Sequence, residues 1–163
     1  MRIGHCTKED YGQILTHLTE FWGSDRTRPL HHPIFVREFG NSTFVARDGD
    51  RVAAYLFGFR SQTEPVGYVH LVAVRDGYRR RGLARVLYRH FTDFARAEGC
   101  REIKAITTPG NRGSIAFHTA LGMRMVGEPN ADGVPVVRSY SGPGEDRVVF
   151  RMPIAGPDVP RPA

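Results

Sequence analysis

The chain has 163 residues, 40% of them hydrophobic and 25% charged, with two cysteines and a formal net charge of +6. That length suits one domain, able to bury roughly 70% of its unfolded surface around a core and a cleft. Cys6 and Cys100 are too few for a disulfide scaffold or a Cys-based zinc module, and no apolar run approaches the ~18 residues of a membrane span.

Residues 2–6 alternate as a short strand, and Thr7 stands as N-cap to a helix over residues 8–20 that carries Ile14, Leu15 and Leu18 on one face. Residues 42–47 and 51–60 read as strands joined through Asp48-Gly49-Asp50, a hairpin turn signal. Residues 66–74 are rich in β-branched side chains with apolar groups on both faces, which suits a central strand covered on both sides. The helix near 82–98 aligns Leu83, Leu87, Phe91 and Phe94, and Gly99 ends it. A strand at 102–107, a short helix at 114–121 and strands at 123–127 and 147–152 complete a mixed sheet with helices on both faces. Residues 129–145 are rich in Gly and Pro and read as a long loop. Residues 153–163, with four prolines, read as a loose tail outside a single domain of residues 1–152. The N-terminus, Met1-Arg2-Ile3-Gly4-His5, lacks a signal peptide's apolar stretch, so the expected location is the cytoplasm, with no membrane partner.

Only Lys8 and Lys104 are lysines, so 21 of the 23 basic residues are arginines, whose planar fork suits phosphate oxygens. Their positions decide the ligand class. Residues 75–85 hold five arginines and one aspartate, a local charge of +4, between a predicted strand and a predicted helix. A helix N-terminus offers unpaired backbone N–H groups and about half a positive charge, while Gly82 allows close approach and Ala84 keeps the first turn small. This is a polyanion site, suited to a pyrophosphate. A Walker loop would need Gly-Lys-Ser/Thr, and a dinucleotide fold needs further glycines at fixed offsets; neither is present. Basic charge gathered at one loop, and not along a groove-sized stripe, argues against a nucleic-acid partner.

Arg79-Arg80-Arg81-Gly82-Leu83-Ala84 resembles the acetyl-CoA loop of the GCN5-related N-acetyltransferases (GNAT), Arg/Gln-x-x-Gly-x-Gly/Ala. Residues 111–123 resemble that family's second motif through Asn111, Phe117 and Leu121-Gly122, with Met123 in place of its phenylalanine. The resemblance implies the GNAT fold: a mixed, mostly antiparallel sheet of six to seven strands around a β-α-β-α-β cofactor core. It also implies acetyl-CoA as co-substrate, no metal, and direct acetyl transfer to a primary amine on a small molecule or a protein, with homodimers common. Val72, Ala73 and Val74 would then face pantetheine through backbone groups, the amides of Arg79 to Ala84 would hold the pyrophosphate, and Asn111 with Ser114 would hold the pantetheine arm.

The departure is His118, which stands where many members carry a tyrosine acid near the thioester sulfur. Histidine can also donate a proton, and a protonated His118 is the expected acid. His70, on the strand before the loop, and Glu64, near that strand's start, are the candidate bases for the acceptor amine; both could equally be structural. Trp22, Phe35 and Tyr140 are the expected acceptor wall, although Phe21, Trp22 and Phe35 also suit sheet cover. His31-His32-Pro33 reads as a loop, since adjacent histidines do not converge on one ion, and Cys6 and Cys100 read as buried thiols. A chain that kept the loop but lacked a working acid and base would instead be a non-catalytic acyl-CoA-binding or sensor module.

Overall fold

The computed structural model describes residues 1–155. Strand β1 (Arg2–His5) leads into α1 (Lys8–Thr16), where Thr7 and Asp10 form a reciprocal capping box. The predicted helix over residues 8–20 is broken: the backbone leaves helical geometry at His17, and a separate α2 (Leu18–Trp22) follows. The break lets Ile14 of α1 and Leu18 and Phe21 of α2 all reach the same sheet face. After a single 3-10 turn at Arg28–Leu30 comes α3 (Ile34–Arg37). The hairpin β2 (Thr43–Asp48) and β3 (Arg51–Arg60) is followed by β4 (Val66–Val74), α4 (Leu83–Ala97), β5 (Glu102–Thr107) and α5 (Arg112–Ala120). Strands β6 (Arg124–Val126), β7 (Glu128–Pro129), β8 (Pro135–Val136) and β9 (Val148–Pro153) complete the described chain.

Seven strands form one sheet in the order β1-β2-β3-β4-β5-β9-β6, in which β4 and β5 are the parallel pair. On one face, Leu83, Leu87 and Phe91 of α4 join Leu56, Ile103 and Phe150. On the other, Ile14, Leu18, Phe21 and Phe35 pack on Val45, Tyr55, Phe57 and Leu71. Fully burying such a side chain stabilises the fold by about 1.5–3 kcal/mol. Helices therefore cover both faces, as the alternation of apolar segments implies.

Two expectations at the C-terminal end change. The stretch 129–145 is not featureless: β8 pairs with β7, and Val137 bridges to Arg147. Pro153 continues β9 opposite Glu102, and Ile154 is buried, so the first residues of the expected tail belong to the fold. The rest of that tail, from residue 156, lies outside the described residues.

What positions the site is the parting of β4 from β5. The two strands pair from Val66–Glu102 to Val69–Ala105 and no further, although both run on. At the same level β4 carries a bulge: Val69 opposes Gly58 and Leu71 opposes Phe57, leaving His70 without a partner on β3. A bulge bends its strand and re-aims the side chains beyond it. Val69 accordingly packs toward α4, whereas Leu71 and Ala73 pack toward α1 and α2. Gly58 is required beside it, because a Cβ there would stand 2.5 Å from the ring of Phe91 and 2.7 Å from the carbonyl of Tyr68.

Candidate active site

Since β4 and β5 are parallel, the helices that follow them, α4 and α5, begin at the same end of the sheet, where the strands have parted. Crevices at the carboxyl ends of parted parallel strands are where α/β sheets bind ligands. The Arg75 N–H donates to the Ala53 carbonyl on β3 (2.8 Å), so by strand alternation the backbone groups of Val72 and Val74 point the other way, into the opening.

The loop from Arg75 to Gly82 is built for backbone amides to converge. Gly77 (φ 82°), Arg80 (φ 62°) and Gly82 (φ 76°) all take left-handed conformations. Arg80 is strained there, a cost of about 1–2 kcal/mol for an L residue. Gly82 is the N-cap of α4 and no side chain caps that end, so the first-turn amides of Leu83, Ala84 and Arg85 are open to an anion. The arginine side chains differ in employment. Arg79, Arg80 and Arg81 are all exposed, but Arg79 reaches back to donate to the carbonyls of Phe21 (3.0 Å) and Val74 (3.3 Å). Arg81 lies over the Tyr78 ring.

At the second helix start, the Asn111 side-chain oxygen caps α5 by accepting from the Ser114 N–H (3.1 Å). His118 does not line the opening as a free acid. It is buried, stacked on Phe150 with ring centroids 4.5 Å apart, and both ring nitrogens are engaged. Nδ1–H donates to the Ser114 carbonyl (2.8 Å), and Nε2 accepts from the Tyr88 hydroxyl (2.7 Å). Burial holds its pKa below the ordinary histidine value, against the upward pull of the Ser114 contact. Burial and the apolar stack on Phe150 favour the neutral ring over the protonated His118 expected from the sequence.

His70 is placed differently. The ring stacks on Phe35 (4.6 Å), and Nε2–H donates to the Leu30 carbonyl (2.9 Å). Nδ1 then carries a lone pair with no protein partner among the described residues. Burial lowers the pKa of His70 as well, so the ring is neutral near pH 7 and able to accept a proton. Glu64 is fully committed elsewhere: one carboxylate oxygen takes Arg151 (2.7 Å) and the other Lys104 (3.1 Å). Those two contacts, Arg151 first, hold its pKa below the usual range, which leaves it a poor base.

The three predicted wall aromatics divide. Phe35 is buried beneath His70, in contact with Phe57, and belongs to the core. Trp22 is half-buried and donates its indole N–H to the Tyr55 hydroxyl (2.7 Å). Tyr140 is exposed, with Lys104 over its ring at 5.5 Å, across from Tyr68, the register neighbour of Lys104. Histidine 31, read as part of a loop, is buried: it donates to the Thr27 carbonyl and accepts from Tyr55. Both cysteines are buried, and Cys6 is pushed up to about 12 by burial.

Residue-by-residue reading of the sequence placed Arg75 in the basic loop but not its burial, and gave no place to Tyr88, which holds His118. Neither the burial of Arg75 nor the contact of Tyr88 shows a signal outside the packed structure.

The profile of the Acetyltransferase (GNAT) family matches residues 10–123, and the chain belongs to that family. A search of curated protein sequences gives no match. Among solved structures, a protein from Desulfovibrio desulfuricans assigned to the GNAT acetyltransferase family superposes with a TM-score of 0.73 at 18% identity, over 94% of this chain and 99% of that one. The ribosomal-protein-S18-alanine N-acetyltransferase of Escherichia coli gives 0.63 at 18% identity, over 97% of each chain. A Bacillus subtilis acetyltransferase in complex with CoA gives 0.61 at 14% identity, over 94% of this chain and 99% of that one. These likenesses establish the fold. Among the described residues no helix is long and apolar enough to cross a membrane.

Proposed function

We propose that the protein transfers an acetyl group from acetyl-CoA directly to a primary amine. The observation that carries this reading is the uncapped N-terminus of α4 at the mouth of the β4–β5 opening, reached through a loop with three left-handed residues and the exposed Arg80 and Arg81. The first-turn amides and the exposed Arg80 and Arg81 suit a pyrophosphate, and the outward backbone groups of Val72 and Val74 suit a pantetheine amide chain. The open end of the Asn111 side chain and Ser114 flank the same mouth at α5. Acetyl-CoA supplies an acyl carbon activated as a thioester.

On the protein's side, His70 Nδ1 takes the proton that the amine nitrogen sheds as it attacks that carbon; the C–N bond forms as the C–S bond breaks. A neutral histidine is suited to this, because its lowered pKa keeps the lone pair available near pH 7. Hydrogen bonding to Leu30 and stacking on Phe35 fix the ring, so Nδ1 faces one way. His118 enters as a positioning residue that ties α5 to Tyr88 of α4, and Glu64 as part of an ion-pair cluster with Lys104 and Arg151. Trp22 and Tyr140 remain the wall candidates for the acceptor.

The test is a panel of primary amines incubated with acetyl-CoA, read by mass spectrometry for a gain of one acetyl group and by thiol release. Turnover that depends on His70 supports the reading. CoA binding without turnover on any amine supports a sensor module instead.

A further inference from the structure

Arg75 is the largest fully buried side chain among the described residues, with 2% of its surface exposed, and the pyrophosphate reading gives it no task. It follows β4 and opens the phosphate loop, yet its guanidinium points away from that loop into the base of α1 and α2. One terminal nitrogen donates to the Gln13 side-chain oxygen (3.1 Å), the other lies 3.4 Å from a Glu20 carboxylate oxygen, and the group sits 4.9 Å over the Phe21 ring. Its Nε has no partner among the described residues. Burying a cation with one donor unsatisfied costs stability, and an apolar side chain would pack there more cheaply. Glu20 is shared, since Arg51 (3.0 Å) and His17 (2.8 Å) also hold it.

The loop fastens to α2 at two further points. The Asp76 N–H donates to the Glu20 carbonyl (2.8 Å), and Arg79 donates to the Phe21 carbonyl (3.0 Å). From α2 the contacts run on without a gap. Phe21 packs edge-on against Tyr55 (5.0 Å) and Trp22 donates to the Tyr55 hydroxyl. Tyr55 in turn donates to His31 (2.6 Å), whose neighbour Leu30 accepts from His70. The phosphate loop and the acceptor side are thus joined by a run of packed and hydrogen-bonded side chains that begins at Arg75.

We infer that Arg75 is a positioning residue that locks the phosphate loop to α2, so that filling the loop orders the Trp22–Tyr55–His31–His70 side of the opening. The inference rests on the proposed CoA site. It predicts that cofactor and acceptor bind with positive coupling, and by linkage the effect is reciprocal.

The experiment uses the full chain, CoA itself as probe, and three readings: calorimetry, amide hydrogen exchange, and emission of Trp22, the only tryptophan. In the wild type, CoA should slow exchange both in residues 76–86 and in residues 18–22, and should change Trp22 emission. In Arg75→Met, CoA should bind about tenfold more weakly, within the usual size of coupling between sites. Protection should then stay in the loop, and the Trp22 response should vanish. Arg75→Lys, which keeps a cation for Glu20, should recover part of both effects and serves alone if the methionine variant does not fold. Wild-type protection confined to the loop, or an unchanged spread of protection and Trp22 response in the variants, overturns the inference while leaving the cofactor site intact. No CoA binding to the wild type overturns the site and the inference together.

Discussion

Replacing Gly82 by glutamate separates the phosphate site from the fold. Gly82 stands at φ 76°, and a Cβ built there meets nothing within 4 Å. The cost to the fold is therefore conformational strain, about 1–2 kcal/mol for an L residue in the left-handed region. At roughly 2–4 °C per kcal/mol for a chain of this length, the melting temperature should fall by about 2–8 °C, leaving a folded protein. The cost to binding is larger. A carboxylate at the N-cap competes for the open amides of Leu83, Ala84 and Arg85 and repels a bound pyrophosphate. One unit-charge pair at roughly 5 Å, with an effective dielectric of about 20, is worth about 3 kcal/mol, or more than a hundredfold in Kd. Calorimetric titration of CoA into wild type and Gly82→Glu, with circular dichroism melts of each, gives both numbers. A folded Gly82→Glu protein whose CoA affinity stays within threefold of wild type would refute the reasoning and put the cofactor elsewhere.

Three further outcomes are expected. His70→Gln should lower turnover by about 10²–10⁴ with CoA affinity preserved. The wild type's kcat/KM should fall on the acid side at a pKa below the free histidine's, and the variant should lack that limb; a surviving limb would assign the base to another group. His118→Ala removes the stack on Phe150 and strands the Tyr88 hydroxyl, so it should destabilise by about 3 kcal/mol, seen as a large drop in urea midpoint. A wild-type midpoint would contradict the packing described. Finally, His31, His70 and His118 all have pKa values lowered by burial. Each stays neutral in the fold while the unfolded chain gains protons from about pH 6.5 downward, so stability is full above that pH and declines below it. Urea midpoints at pH 7.5 and 5.5 check this, and equal values would mean the three rings are not held neutral.

The elements were legible in the sequence wherever a pattern is local. Leu83, Leu87 and Phe91 fall on one stripe of α4 because a helix repeats every 3.6 residues, and Thr7 with Asp10 caps α1 within four positions. The strand–loop–helix junction was legible for the same reason: Arg79 to Ala84 are contiguous, and the uncapped helix start at Gly82 lies in backbone groups that any strand–Gly–helix junction presents. Tertiary structure alone decided what depends on distant partners. It inserted β9 between β5 and β6, and it parted β4 from β5 beside the bulge at His70. It also gave two histidines opposite surroundings. His118 is enclosed because Phe150 and Tyr88, from β9 and α4, close around it. His70 keeps one nitrogen without a partner among the described residues because Leu30 and Phe35 claim only its edge and one face. Arg75 is the limiting case. Nothing in a run of arginines marks one for burial, because its depth is set by Gln13, Glu20 and Phe21, more than fifty positions away in the chain.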